Sequence, residues 1–200
     1  AFGAIAQSDT TGLVDLIGRR LHGRFAVQTE NTTQTTGGGV NDGQSAGIFN
    51  GLNLTKEGTG VFVIKGANTY TGNTTVNAGT LRLGASESIT NTSILTVNAS
   101  GTFEMKDFNE TVNNIAGSGI IRNGGAATSL LTMGSNNLAS TYSGILEDGS
   151  GILALTKNGS GIVTLSNANT YSGTTLINAG GILAANNTAL GNATGATTVI

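Results

Sequence analysis

The hydrophobic pattern of this chain is carried by short runs. Val61-Phe62-Val63-Ile64, Thr80-Leu81-Arg82-Leu83 and Ile162-Val163-Thr164-Leu165 are rich in β-branched and aromatic residues. In the last two, apolar residues alternate with Thr or Arg, the pattern of a strand with one buried face. Gly, Asn and Ser-Gly punctuation separates the runs, so the chain turns after each strand. The pairs Asn50-Gly51, Asn123-Gly124 and Asn158-Gly159 suit corners between strands as well as hairpin turns. Residues 8–23 follow another period. Leu13, Leu16, Ile17 and Leu21 fall at helical spacing, Ser8 or Asp9 can cap the start, and Gly23 can end it.

The strand runs belong to an internal repeat. Leu54-Thr55-Lys56-Glu57-Gly58-Thr59-Gly60, continuing to Val76-Asn77-Ala78-Gly79, returns as Leu155-Thr156-Lys157-Asn158-Gly159-Ser160-Gly161, continuing to Ile177-Asn178-Ala179-Gly180. Between them, Asn68, Tyr70 and Gly72 return as Asn169, Tyr171 and Gly173 at the same offset. A shorter period lies inside the first, because Thr75-Val76-Asn77-Ala78 recurs as Thr96-Val97-Asn98-Ala99. A period of roughly 20 residues is the length of one solenoid coil. No such coil can bury its apolar face alone, so stacking is required, with Val76 over Val97 and both pointing inward. At about 4.8 Å per parallel strand, the coils would make a rod some 35–40 Å long.

The motif Leu-Thr-Lys-x-Gly-x-Gly, then Ala-Asn-Thr-Tyr-x-Gly, then Asn-Ala-Gly resembles the passenger-associated repeat of Gram-negative autotransporters, over about residues 40–200. The resemblance implies an all-β fold, a right-handed parallel β-helix, on an extracellular, outer-membrane-attached or secreted passenger. The repeat positions it singles out are Lys56, Gly58, Gly60, Asn68, Tyr70, Gly72, Asn77 and Gly79, with Lys157, Gly159, Gly161, Asn169, Tyr171, Gly173, Asn178 and Gly180 in the second copy. The membrane is expected to be reached only through a missing C-terminal barrel.

The expected organisation has three parts. Residues 1–25 hold the tail of a signal peptide, marked by Ala4-Ile5-Ala6, and the amphipathic N-terminal helix that caps the solenoid end. Residues 26–50 form a Thr/Asn/Gly-rich linker or a first irregular coil. Residues 51–200 form the β-helix, with full repeats near 51–84 and 151–184.

Composition narrows the functions. Cys is absent, which excludes a disulfide framework and thiolate metal sites. Charged residues are 10% and the net charge is −2, so the chain as a whole carries no nucleic-acid footprint. The basic cluster Arg19, Arg20, His22 and Arg24 reads as a solvated helix end. His22 is the sole His and lacks a Gly-x-Ser-x-Gly elbow, which disfavours a hydrolytic triad. Glu104, Asp107 and Glu110, with Lys106 beside them, are the best candidates for binding a cation or protonating a glycosidic oxygen. Their alternative is a charged, solvated corner. Lys56 and Lys157 recur at a repeat position and so read as structural. Tyr70, Tyr142 and Tyr171 could stack on sugars or anchor turns.

These observations favour a non-enzymatic passenger scaffold, an adhesin or stalk, needing no cofactor and no metal. Its partner would be a glycan or a host or cell-surface protein, met through a long polar face of Thr, Ser and Asn. The alternatives are a polysaccharide-acting β-helix enzyme using Glu104, Asp107 or Glu110, and a self-associating extracellular filament.

Overall fold

A computed structural model describes residues 24–28, 33–35, 53–65, 68, 70–192 and 194–200. The expected signal-peptide tail and the helical segment 8–23 lie outside the described residues. Among the described residues there are strands and turns, and no helix.

Every strand pairing is parallel, and the strands stack in three columns that form the faces of a prism. The first face holds β1 (Arg24–Gln28), β3 (Asn53–Glu57), the N-terminal part of β5 (Thr74–Leu83) and that of β6 (Ile94–Glu104). It continues through β8 (Asn114–Gly117), β11 (Ser140–Tyr142), β14 (Ile162–Leu165) and β16 (Gly181–Ala184). The second face holds β2 (Thr33–Thr35), β4 (Val61–Ile64), the C-terminal parts of β5 and β6, β9 (Ile120–Asn123) and β12 (Ile145–Asp148). The third face is a separate sheet of β7 (Glu110–Thr111), β10 (Thr128–Met133), β13 (Ile152–Lys157), β15 (Thr175–Ile177) and β17 (Thr197–Val199). In the regular part the chain visits the first, second and third faces in turn. It is a parallel β-solenoid of about 7 turns.

The alternating pattern of the sequence becomes the inward and outward sides of these faces. Val76 and Val97 are Cα partners on the first face, and neither is exposed to solvent. On the second face Phe62, Leu81, Phe103, Ile121 and Leu146 stack in one inward file, one residue per coil. On the third, Leu131 and Leu155 continue the core above Glu110. These files form a single apolar cluster running the length of the prism.

The corner between the first and second faces explains the Asn-Ala-Gly ending of the motif. The backbone at Gly79 has φ 65°, and a Cβ there would lie 2.5 Å from the carbonyl oxygens of Gly58 and Gly60 in the neighbouring coil. At the corner between the third and first faces Gly180 repeats this, with φ 66° and approaches of 2.5 Å to Gly161 and 2.6 Å to Gly159. No residue with a side chain fits so close to another coil's backbone.

Candidate functional site

The motif lysines are the first candidates for chemistry, because each is buried. Lys56 and Lys157 both have 0% of their surface exposed. Lys56 enters at the end of β3, which alternation turns inward, and its long stem lets the ammonium reach the corner. There Nζ donates to the carbonyls of Glu57 at 2.6 Å, Gly58 at 2.7 Å and, one coil on, Ala78 at 3.0 Å. Lys157 makes the same set: the carbonyls of Asn158, Gly159 at 2.8 Å and Ala179 at 3.4 Å. An ammonium has three protons, and three carbonyls use them all. Burial pulls the Lys56 ammonium down to about 8, with the Glu57 carboxylate opposing it. Burial lowers Lys157 as well. Each lysine thus ties one coil to the next at a corner.

The remaining motif side chains also bond between or within coils. Asn77 donates to Glu57 at 2.5 Å, and Asn98 donates to Asn77 at 2.6 Å, a ladder over three coils. In the second copy Asn178 donates to Asn158 at 2.8 Å. Asn68 donates to the Ser88 carbonyl at 2.5 Å, and Asn169 to the Ala189 carbonyl at 2.6 Å. Tyr70, Tyr142 and Tyr171 are fully buried. Their hydroxyls bond Thr74 at 2.5 Å, the Gly119 carbonyl at 2.9 Å and Thr175 at 2.8 Å. Desolvation raises all three phenols above their ordinary range. Rings so placed cannot stack on a sugar.

The three carboxylates near residue 107 are not one site. Glu104 lies at the end of β6 on the second face, 4% exposed, between Arg82 of the preceding coil and Arg122 of the next. Arg122 donates to its Oε1 at 3.1 Å, and Arg82 to its Oε2. Glu147 is the Cα partner of Arg122, so the outward file reads Arg, Glu, Arg, Glu. Asp107 sits in an exposed turn, and its carboxylate accepts the amides of Ala126 at 2.9 Å and Ala127 at 2.7 Å. Those two bonds hold its carboxyl below the usual range. Glu110 begins the third face, 1% exposed, and its Oε2 accepts the amides of Ser88 at 3.0 Å and Ile89 at 3.2 Å. Burial pushes it up to about 8. The solvated charged corner expected as the alternative holds for Asp107 alone. Among the described residues no group of three His, Cys, Asp or Glu side chains is placed to hold a metal. His22 lies outside the described residues.

Sequence reading passed over two side chains that organise corners. Asn123 has 0% exposure and bonds four backbone groups: the carbonyls of Ala127 and Ile152 and the amides of Asp107 and Gly125. Asp148 accepts the amides of Leu153 and Ser172 and the Ser172 hydroxyl. The pair Asn123-Gly124 was the available signal for the first, and it read simply as a turn.

Fold and side chains together define a repetitive solenoid scaffold whose polar groups are spent largely on joining its own coils. Comparison with known proteins agrees. The model of the passenger-associated-transport-repeat matches residues 54–83 and 155–185. The chain is also 37% identical, over 135 residues, to the Adhesin BmaC autotransporter of Brucella suis biovar 1 (strain 1330). That match covers 65% of this chain and 4% of the relative. No solved structure matches the chain. The chain carries two copies of the passenger-associated-transport-repeat and is similar to a stretch of an autotransporter adhesin, which supports an autotransporter passenger at the cell surface or outside the cell.

Proposed function

We propose that this segment is a rigid, non-catalytic stretch of an adhesin-type passenger, needing no cofactor, which presents a long polar surface to a glycan or a cell-surface protein. The observation that carries this reading is the commitment of Lys56, Lys157, Glu104 and Glu110 to contacts between coils. Reactive groups tied up this way are poor acids, bases or ligands. The outward strand positions are instead largely uncharged and hydroxylated, as at Thr75, Thr96, Thr102, Thr132, Thr141 and Thr164. Such a surface offers many weak bonds at the coil spacing, and a repetitive partner gains by engaging several at once. The solenoid is taken as right-handed, the hand adopted by nearly all parallel crossovers.

Binding of the purified segment to a glycan array and to cultured cells tests the reading. The expected result is weak, avidity-dependent binding, unaffected by chelator and unaffected by Glu104→Gln. Cleavage of an acidic polysaccharide that Glu104→Gln abolishes would replace it with the enzyme reading. Self-association has one observation in its favour: Ile162 and Leu183 on the first face are 52% and 55% exposed. Sedimentation at high concentration decides it, a monomer removing that reading.

A further inference from the structure

The two repeat copies differ in charge at one position of the lysine corner, where the first has Glu57 and the second has Asn158. Asn158 precedes Gly159, and Asn-Gly is the dipeptide in which the following amide nitrogen is least shielded by a side chain. Gly159 has φ 68°. The Asn158 side chain is half-buried, and its Oδ1 accepts a 2.8 Å bond from Asn178. Lys157 donates to the main-chain carbonyl of Asn158. That carbonyl belongs to the same peptide group as the Gly159 N–H. A cation on its oxygen stabilises the anion left when the nitrogen loses its proton, so it acidifies the nucleophile.

We propose that Asn158–Gly159 is a self-modification site, at which the folded chain converts its own asparagine to an acidic residue with Lys157 as the positioning and activating group. The Gly159 N–H gives its proton to water, and its nitrogen attacks Cγ of Asn158. Nδ2 takes a proton back from water, the bond from Cγ to Nδ2 breaks and ammonia leaves, closing a five-membered succinimide. Water then opens the ring. Addition at the side-chain carbonyl gives aspartate, and addition at the main-chain carbonyl gives isoaspartate. Lys157 polarises the main-chain carbonyl, so isoaspartate is the major product. No oxidant, metal or enzyme is required. The aspartate fraction restores an acid beside the lysine, as Glu57 provides in the first copy.

Asn123–Gly124 is the internal control. Its side chain is fully buried and held by four hydrogen bonds, which cyclisation would have to break. It should react about a hundredfold more slowly in the folded chain. Lys56 offers a second test, since it donates to the carbonyls of residues 57 and 58 in the same way. Glu57→Asn should therefore create a second reactive site there.

The experiment is peptide mapping by mass spectrometry of the whole chain, aged at neutral pH, where the lysine ammonium is retained, either folded or in urea. Isoaspartate is counted by methyl transfer with an isoaspartyl methyltransferase. In urea Asn123 and Asn158 should react alike. Folded, Asn123 should be suppressed while Asn158 keeps or exceeds its unfolded rate, and Glu57→Asn should react comparably at its new site. Lys157→Arg should retain the reactivity and Lys157→Met should lose it, each measured on protein checked for folding by circular dichroism. Equal protection of Asn158 and Asn123 in the folded chain would overturn the proposal. So would an unreactive Glu57→Asn in a chain that folds.

Discussion

The two copies of the repeat make the same bonds on different faces. In the first, Lys56 ends a strand of the first face, and Val63 lies on the second. In the second, Lys157 ends a strand of the third face, and Thr164, the counterpart of Val63, lies on the first. Yet the lysine clamp, the tyrosine-threonine bond, the amide-to-carbonyl bond and the corner glycine all recur. The repeat therefore encodes a local junction between one coil and the next. It does not encode an orientation about the axis. A ligand-binding surface that needed both copies side by side could not be built from this spacing.

If the junction is local, removing its centre should cost the same in either copy. Lys56→Met and Lys157→Met each leave three carbonyls without a donor, and each should lose about 4 kcal/mol by urea unfolding. A large loss in one and a negligible loss in the other would break the equivalence. Glu110 belongs to neither copy and gives the next effect, a few kcal/mol. Burial raises its carboxyl from 4.5 to about 8 in the fold, with the Glu87 carboxylate adding repulsion and the amides of Ser88 and Ile89 opposing the rise. The folded chain retains that proton while the unfolded chain releases it, so this contribution falls as pH rises from about 4.5 to about 8 and is level above. Glu110→Gln should flatten that slope in melting temperature against pH, and an unchanged slope would contradict the assignment.

Smaller substitutions sharpen the same comparison. Tyr70→Phe and Tyr171→Phe each remove one buried hydroxyl bond and should cost about 1 kcal/mol apiece, read as matched shifts in melting temperature. Lys65 is exposed outside the clamp, and Lys65→Ala should change stability by less than about 0.5 kcal/mol. A loss as large as that of Lys56→Met would show that burial does not separate these lysines.

The strands and the stacking were legible because their signals are short-range. The alternation in Thr80-Leu81-Arg82-Leu83 sets its buried side, and the shared Thr-Val-Asn-Ala sets Val76 over Val97. The rotation between copies was not legible. It accumulates through residues 105–150, where the coils lack the motif and vary in length, so nothing local records which face comes next. The carboxylates were misjudged for a related reason. Glu104 meets Arg82 and Arg122 across coils, and neighbours in sequence, Lys106 and Asp107, drew attention instead. Lysine burial was also unreadable, because a strand-end lysine looks exposed until the next coil supplies the Ala78 carbonyl.

Disulfide trapping on the outward positions tests the rotation directly. Thr164 and Thr141 are Cα partners on the first face. Parallel neighbours lie about 4.8 Å apart, within reach of a disulfide. Had the second copy kept the orientation of the first, Thr164 would instead continue the file of Val63, Arg82, Glu104, Arg122 and Glu147. The account predicts that Thr141→Cys with Thr164→Cys forms a disulfide under mild oxidation, and that Glu147→Cys with Thr164→Cys does not. The reverse outcome would contradict it.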